Sequence, residues 1–151
     1  ILSGLVGSEM CIRDRYRLYE RLYKDPRNIN FVKDAMFGST NEQYGTSYKS
    51  RYDDIKYQYA GKTGTSQVKR ITEEERKLDL DQSQIEYKNR DHALFVAFAP
   101  YKNPRYAISV LVEHGGSGSS AAAPLASKLI KKIIDRHKLR DQIKNGSSSL
   151  A

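Results

Sequence analysis

Lys62-Thr63-Gly64-Thr65 sets an ammonium, a hydroxyl, a residue without a side chain and a second hydroxyl in succession. An ammonium beside a hydroxyl is a donor pair suited to an anion such as a carboxylate. The four residues belong to the run Ala60-Gly61-Lys62-Thr63-Gly64-Thr65-Ser66, which follows Tyr57-Gln58-Tyr59 and reads as a strand. On a strand, Lys62 and Gly64 point to one face and Thr63 and Thr65 to the other. A glycine inside a strand weakens it and often marks the close approach of a ligand or another backbone. Lys62, Thr63, Gly64 and Thr65 are therefore the candidate substrate-binding residues; the other reading of the same four is a surface strand with a chance triplet.

Gly61-Lys62-Thr63 also invites comparison with a phosphate-binding loop. That motif needs a glycine five residues before Gly61 and a helix after the threonine. Position 56 is Lys56, and Gln67-Val68 does not open a helix, so the comparison fails. Ser66-Gln67-Val68-Lys69 matches the Ser-x-x-Lys pattern of an activated serine nucleophile. At the end of a strand that spacing does not bring the two side chains together as a helical turn does, so we read it as a decoy. Asp91 and His92 are adjacent, so on a strand they face apart and make a poor acid–base pair; His92 is read as structural and His114, beside glycines, as solvated. There is no Cys/His cluster for zinc and no spaced acidic set for calcium, so no metal and no cofactor is implied. Cys11 is the only cysteine and forms no internal disulfide.

The elements that must hold these residues follow from periodicity. Ile1–Arg15 has no clean period and reads as a non-native or disordered leader. Tyr16 to Phe37 repeats apolar residues every four positions, and Pro26 divides it, which predicts a second helical piece near Asn30 to Phe37 with Gly38 as its stop. Asn41 to Asp54 is polar and turn-rich. Ile55 to Val68 is the first predicted strand, and Arg70 to Arg90 a charged excursion with a helical turn at Glu73 to Leu80. In His92–Ala99, Leu94, Val96 and Phe98 alternate with Phe95, Ala97 and Ala99, which predicts a strand buried on both faces. Pro100-Tyr101-Lys102-Asn103-Pro104 is a turn into the strand Tyr106–Glu113, making an antiparallel hairpin. After Gly115-Gly116-Ser117-Gly118, Ser119 or Ser120 caps a helix with Pro124 in its first turn. Leu125, Leu129, Ile130, Ile133 and Ile134 form its predicted core stripe, with Lys128, Lys131, Lys132 and Asp135 facing away. Arg136, His137 and Lys138 suit the negative pole at its end, and 141–151 reads as a disordered tail.

This order of segments, with Gly45-Thr46-Ser47 ahead of it in place of a Gly-Thr-Ala element, resembles the end of the transpeptidase domain of class B penicillin-binding proteins, most of all their elongation-specific members. The resemblance covers roughly Phe31 to Lys138, within a domain part spanning 16–140. It implies an α+β fold in which an antiparallel sheet is flanked by helices, with the rest of the transpeptidase domain needed to complete it. It implies that Lys62 lies beside the catalytic serine, that Thr63 binds the donor-peptide carboxylate, and that Gly64 leaves room for the substrate along the strand edge. The Thr65 N–H would be half of an oxyanion hole. The nucleophile, general base and third motif of that family are not in this sequence; Ser39-Thr40-Asn41 matches Ser-x-Asn only in letters, since that motif lies far upstream in the family. The implied activity is peptidoglycan D,D-transpeptidation, with stem peptides and β-lactams as ligands. The implied parent is anchored in the inner membrane with this domain in the periplasm. A relation to β-lactamases or carboxypeptidases is a second expectation from the same motif.

Charge supplies the alternative. Lys and Arg number 26 against 18 Asp and Glu, for a formal charge of +8, which suits a basic module for nucleic acid or acidic glycan. The charges are interleaved, as in Arg51-Tyr52-Asp53-Asp54, which favours a solvated surface, and no nucleic acid is expected as a partner.

Overall fold

The computed structural model describes residues 23–69 and 84–148, and side chains as far as Gln142. The expected leader, the first half of the divided helix and the helical turn at 73–80 lie outside the described residues. Residues 1–30 and 31–151 form two units. Asp25, in the first, starts helix α1 (Pro26–Asn41), whose residues from Phe31 on belong to the second: its carboxylate accepts from the Arg27 N–H (2.8 Å) and pairs with the Arg27 guanidinium (2.8 Å). That contact holds the Asp25 carboxyl below its ordinary range. Pro26 lacks the amide that a first-turn residue leaves unused. It therefore opens the helix four residues earlier than the sequence reading placed it.

The second unit holds three antiparallel strands, β1 (Ala60–Ser66), β2 (His92–Ala99) and β3 (Tyr106–Val112), in the order β1-β2-β3. Pairs such as Lys62↔Val96 and Leu94↔Leu111 fix the register. The α+β architecture expected from the sequence is present. The first strand is shorter than predicted. Asp54 accepts from the Lys56 N–H (2.9 Å) and caps a 3₁₀ turn at Ile55–Tyr57, which delays extended structure until Ala60.

A π turn (Gly118–Ala122) leads into helix α2 (Ala123–Ser148), which lies on one face of the sheet. Ala93, Phe95, Ala97 and Ala99 of β2 are buried there against Ala122, Ala123, Ala126 and Ile130. Alanines on both sides let helix and sheet approach closely, and Tyr59 and Phe95 fill the remaining space edge to face at 6.4 Å. Two expectations are corrected here. The α2 core stripe runs through Ala123, Ala126 and Ile130 with Ile134 packed against it, so Ile130 and Ile134 hold their expected places while Leu125 and Leu129 are exposed and the alanines take theirs. The second face of β2 is open, with Leu94 and Phe98 half-buried and Val96 46% exposed. Helical backbone also continues to Ser148, past the boundary expected at 141. Arg136, His137 and Lys138 consequently lie inside the helix, away from its negative pole, and His137 packs on the Tyr106 ring at 4.9 Å.

Asp135 does not face away. It accepts from Tyr57 Oη (2.6 Å), Lys56 Nζ (3.0 Å) and Lys131 Nζ (3.1 Å), tying α2 to the turn before β1. Tyr57, then Lys56 and Lys131, hold its carboxyl well below the ordinary 3.8, and the Lys56 and Lys131 ammoniums sit above the ordinary 10.5. A depressed carboxyl contributes stability above its unfolded value and loses it as pH falls through the folded one. A raised ammonium contributes below its unfolded value and loses it as pH rises through the folded one. The stability difference between the native protein and Asp135→Asn should thus be flat from about pH 5 to 9 and close at both extremes. Chemical denaturation across pH checks this; a difference that grows on acidification would contradict it.

Candidate functional site

Among the described residues β1 is an edge strand. Its Gly61 N–H donates to Thr40 Oγ1 (3.0 Å), and the Gly61 carbonyl lies 3.4 Å from the same oxygen. The Gly61 backbone therefore points away from β2. Backbone groups two residues apart point the same way on a strand, so the N–H and C=O of Thr63 and Thr65 face the free edge as well. Lys62 and Gly64 share the open face with Val96 and Leu94, their register partners. Lys62 and Thr65 are exposed, while Thr63 and Gly64 are half-buried. The structure thus brings all four candidate residues to one accessible edge.

Two glycines in this strand have different reasons. A Cβ on Gly61 would lie 2.3 Å from Phe95 Cζ, inside the packed core. A Cβ on Gly64 would meet only Leu94 Cβ, at 3.4 Å, an ordinary contact. Internal packing demands glycine at 61 and does not demand it at 64.

The end of α1 clamps this edge. Asn41 Nδ2 donates to the Tyr59 carbonyl (2.9 Å), Thr40 holds Gly61, and Ser39 reaches Thr63 through Thr46. Ser39 Oγ lies 3.1 Å from Thr46 Oγ1, which lies 3.1 Å from Thr63 Oγ1. Gly45 makes the arrangement possible: a Cβ there would lie 2.3 Å from the Ser39 carbonyl oxygen, so the loop can fold back onto the helix end only with glycine. Ser47 then donates its N–H and its hydroxyl to that carbonyl, both at 3.0 Å. Gly38, expected as the helix stop, lies within α1; the helix runs on to Asn41, whose side chain also donates to the Phe37 carbonyl. Sequence reasoning set Ser39-Thr40-Asn41 aside as a chance match. Thr40 and Asn41 clamp the strand backbone, and Ser39 stands behind Thr46.

Lys62 Nζ donates to the Thr63 carbonyl (2.9 Å) and lies 3.5 Å from Thr63 Oγ1. Beside this pair a cavity of about 390 Å³ is lined by Asp34, Ser39, Glu42, Gly45, Thr46 and Lys62, among others. One ammonium, a hydroxyl and two outward N–H groups along an exposed edge make a surface that can receive an extended anionic chain by strand addition.

Behind the strand, Gly118 of the π turn lies against the backbone. A Cβ there would sit 2.5 Å from the Leu94 carbonyl oxygen and 2.7 Å from that of Gly64. The loop before it is held by the Gly116 N–H on the Asp91 carbonyl (2.8 Å) and the His114 N–H on His92 Nδ1 (2.9 Å). His92 is structural, as expected, with its proton placed on Nε2 when neutral. His114 is not simply solvated. It is half-buried at φ 54°, its ring 4.7 Å from His92 and 5.2 Å from Tyr87, with Nδ1 3.1 Å from the Arg90 carbonyl oxygen.

Ser66 closes β1 and Gln67 to Lys69 are not helical, so Ser66 and Lys69 do not share a helical turn. Asp91 turns to the Val68 N–H (3.4 Å). Among the described residues no group of three His, Cys, Asp or Glu is placed to hold a metal ion.

Residues 19–131 match the family model described as the penicillin binding protein transpeptidase domain. The chain is 39% identical over 104 residues to peptidoglycan D,D-transpeptidase MrdA of Salmonella typhimurium, and 40% over 105 residues to that of Haemophilus influenzae. These alignments cover 69% and 70% of this chain and 16% of each relative, so the chain spans about a sixth of their length. Among solved structures it is similar to penicillin-binding protein 2 of Helicobacter pylori in complex with MreC (34% identity, TM-score 0.58, 72% of this chain and 17% of that one). It is also similar to penicillin-binding protein 2 of Pseudomonas aeruginosa in complex with WCK 5153 (34%, 0.54, 74% and 20%).

Because the atoms facing Gly118 are backbone, Gly118→Ala should destabilise the protein by about 1–3 kcal/mol through overpacking. Thermal denaturation measures this, and an unchanged midpoint would show that the turn yields freely.

Proposed function

The chain belongs to the penicillin-binding-protein transpeptidase domain family, and from that premise we propose that it forms the ligand-gripping wall of a peptidoglycan D,D-transpeptidase site. In this reading Thr63 Oγ1 and Lys62 Nζ hold the carboxylate of a stem peptide ending in D-Ala-D-Ala, or of a β-lactam. The Lys62 charge also acts on the serine that attacks. Gly64 keeps the strand bare where the substrate lies along it. The Thr65 N–H points out of the sheet edge, where it donates to the oxyanion of the tetrahedral intermediate. The other donor is the amide of the attacking serine, which the longer protein supplies, so this chain alone is inactive. That longer protein is anchored in the inner membrane with this domain in the periplasm; among the described residues no helix is long and apolar enough to cross a membrane.

The observation that carries the reading is the exposed, outward-facing edge of Lys62-Thr63-Gly64-Thr65, with a glycine that internal packing does not require. The test is covalent labelling by a fluorescent penicillin. The isolated chain should stay unlabelled and the full-length protein should be labelled at a serine outside it; labelling at Ser66 would overturn the assignment. In the full-length protein, Gly64→Ala should leave stability within about 1 kcal/mol, since alanine suits a strand at least as well as glycine. It should nevertheless slow labelling at least tenfold. Gly61→Ala should do the reverse in kind, costing about 1–3 kcal/mol through its clash with Phe95.

A further inference from the structure

Thr63 is not alone in presenting its hydroxyl. Three hydroxyls stand in a row, Ser39 Oγ, Thr46 Oγ1 and Thr63 Oγ1, at successive distances of 3.1 Å. Each has one proton to give. Lys62 Nζ, on the other flank of Thr63 Oγ1 at 3.5 Å, can only donate. The direction of the chain therefore decides what Thr63 can do. If Thr63 donates to Thr46, its proton is spent inside the protein. If Ser39 donates to Thr46 and Thr46 to Thr63, the Thr63 proton is free to point at an incoming anion, and each bond polarises the next.

We propose that Thr46, backed by Ser39, is a positioning residue that orients the Thr63 hydroxyl toward the carboxylate of the acyl donor. The proposal rests on the functional reading given above. Thr46 acts through Thr63. The loop geometry supports a dedicated placement: a Cβ at position 45 would lie 2.3 Å from the Ser39 carbonyl oxygen, so the turn requires Gly45, and Ser47 locks it to that same carbonyl. The loop thereby sets Thr46 opposite Thr63, at the rim of the cavity that Ser39 and Lys62 also line.

The experiment is the second-order rate of acylation of the full-length protein by benzylpenicillin and by its methyl ester, with thermal denaturation run beside it. Thr46→Val removes the hydroxyl at nearly constant volume and should slow acylation by benzylpenicillin by up to about tenfold, the worth of one neutral hydrogen bond. Thr46→Ser should restore the rate to within about threefold, because the hydroxyl returns. The methyl ester, which lacks the anion, should be indifferent to Thr46→Val. In a Thr63→Val background, Thr46→Val should add no further loss. Equal rates for Thr46→Val and the native protein overturn the proposal, as do additive losses in the double variant or an ester slowed as much as the acid. Should Thr46→Val fail to fold, Thr46→Ser and Ser39→Ala carry the comparison: Ser39→Ala should slow the acid and spare the ester, and an unchanged acid rate overturns the relay. A native protein that is never acylated, or one in which Thr63→Val acylates normally, overturns the functional reading and the relay with it.

Discussion

The contact on which the rest depends is the one between Thr40 Oγ1 and the Gly61 backbone. Thr40 is fully buried, and its oxygen takes the Gly61 N–H at 3.0 Å. An edge strand has a row of unpaired backbone groups, and a buried one must find partners or cost about 1–3 kcal/mol each. Thr40 satisfies the first of them, where the strand lies inside the protein. Two residues later the strand emerges, and the equivalent groups of Thr63 and Thr65 are left to the outside. One side chain thus sets both the depth at which β1 enters and the parity of what it offers beyond. A shift of one residue at Gly61 would turn the Thr63 and Thr65 amides toward β2 and present those of Lys62 and Gly64 instead.

Glycines at 45, 61 and 118 serve that placement from three sides. At 45 the loop closes on the helix end, at 61 the strand closes on Phe95, and at 118 the π turn closes on the strand from behind. Each marks a place where backbone or a buried ring comes nearer than a Cβ permits. The strand is therefore held by steric fit as well as by hydrogen bonds, and close packing leaves it little room to shift. Tyr59 completes the anchorage just before β1. Its ring is buried against Phe95, and its hydroxyl donates to the Ser50 carbonyl (2.8 Å), to which Ser127 Oγ of α2 also donates (2.7 Å). Burial pushes that hydroxyl up to about 12.

How much of this was legible in the sequence follows from which forces are local. The β2–β3 hairpin was readable because alternation and the prolines at 100 and 104 are local signals, and the antiparallel pairing they imply is the one observed. The start of β1 was misread because one Asp54 hydrogen bond overrides the apolar pattern of Ile55 to Tyr57. The phase of the first turns of α2 was misread because the stripe was assigned by residue size, whereas opposite Phe95 the core is filled by Ala122, Ala123 and Ala126, and large side chains enter it only from Ile130 on. The candidate residues 62–65 were legible as a chemical set. The groups that hold them were not, because Thr40 and Asn41 act across gaps of 21 and 18 residues that no local period records, and Ser39 reaches Thr63 only through Thr46. Asp135 escaped for the same reason, its partners Lys56 and Tyr57 lying 79 and 78 residues away.

The open face of the sheet bears on how strongly the Lys62 charge can act. Lys62 shares it with Val96, 46% exposed, and Leu111, 56% exposed, and with the half-buried Leu94 and Phe98. Such a face in water gains nothing from its apolar side chains and leaves the Lys62 charge screened. Covered by protein, the same residues would exclude water from around that ammonium, and its interaction with an anion would strengthen several-fold as the effective dielectric falls. On the proposed reading, the attacking group is carried by whatever covers this face, from which the Lys62 side chain springs before its Nζ turns to the Thr63 carbonyl (2.9 Å). On that reading, ligand capture and shielding would be a single event: the cover that carries the attacking group would also lower the dielectric around the cation.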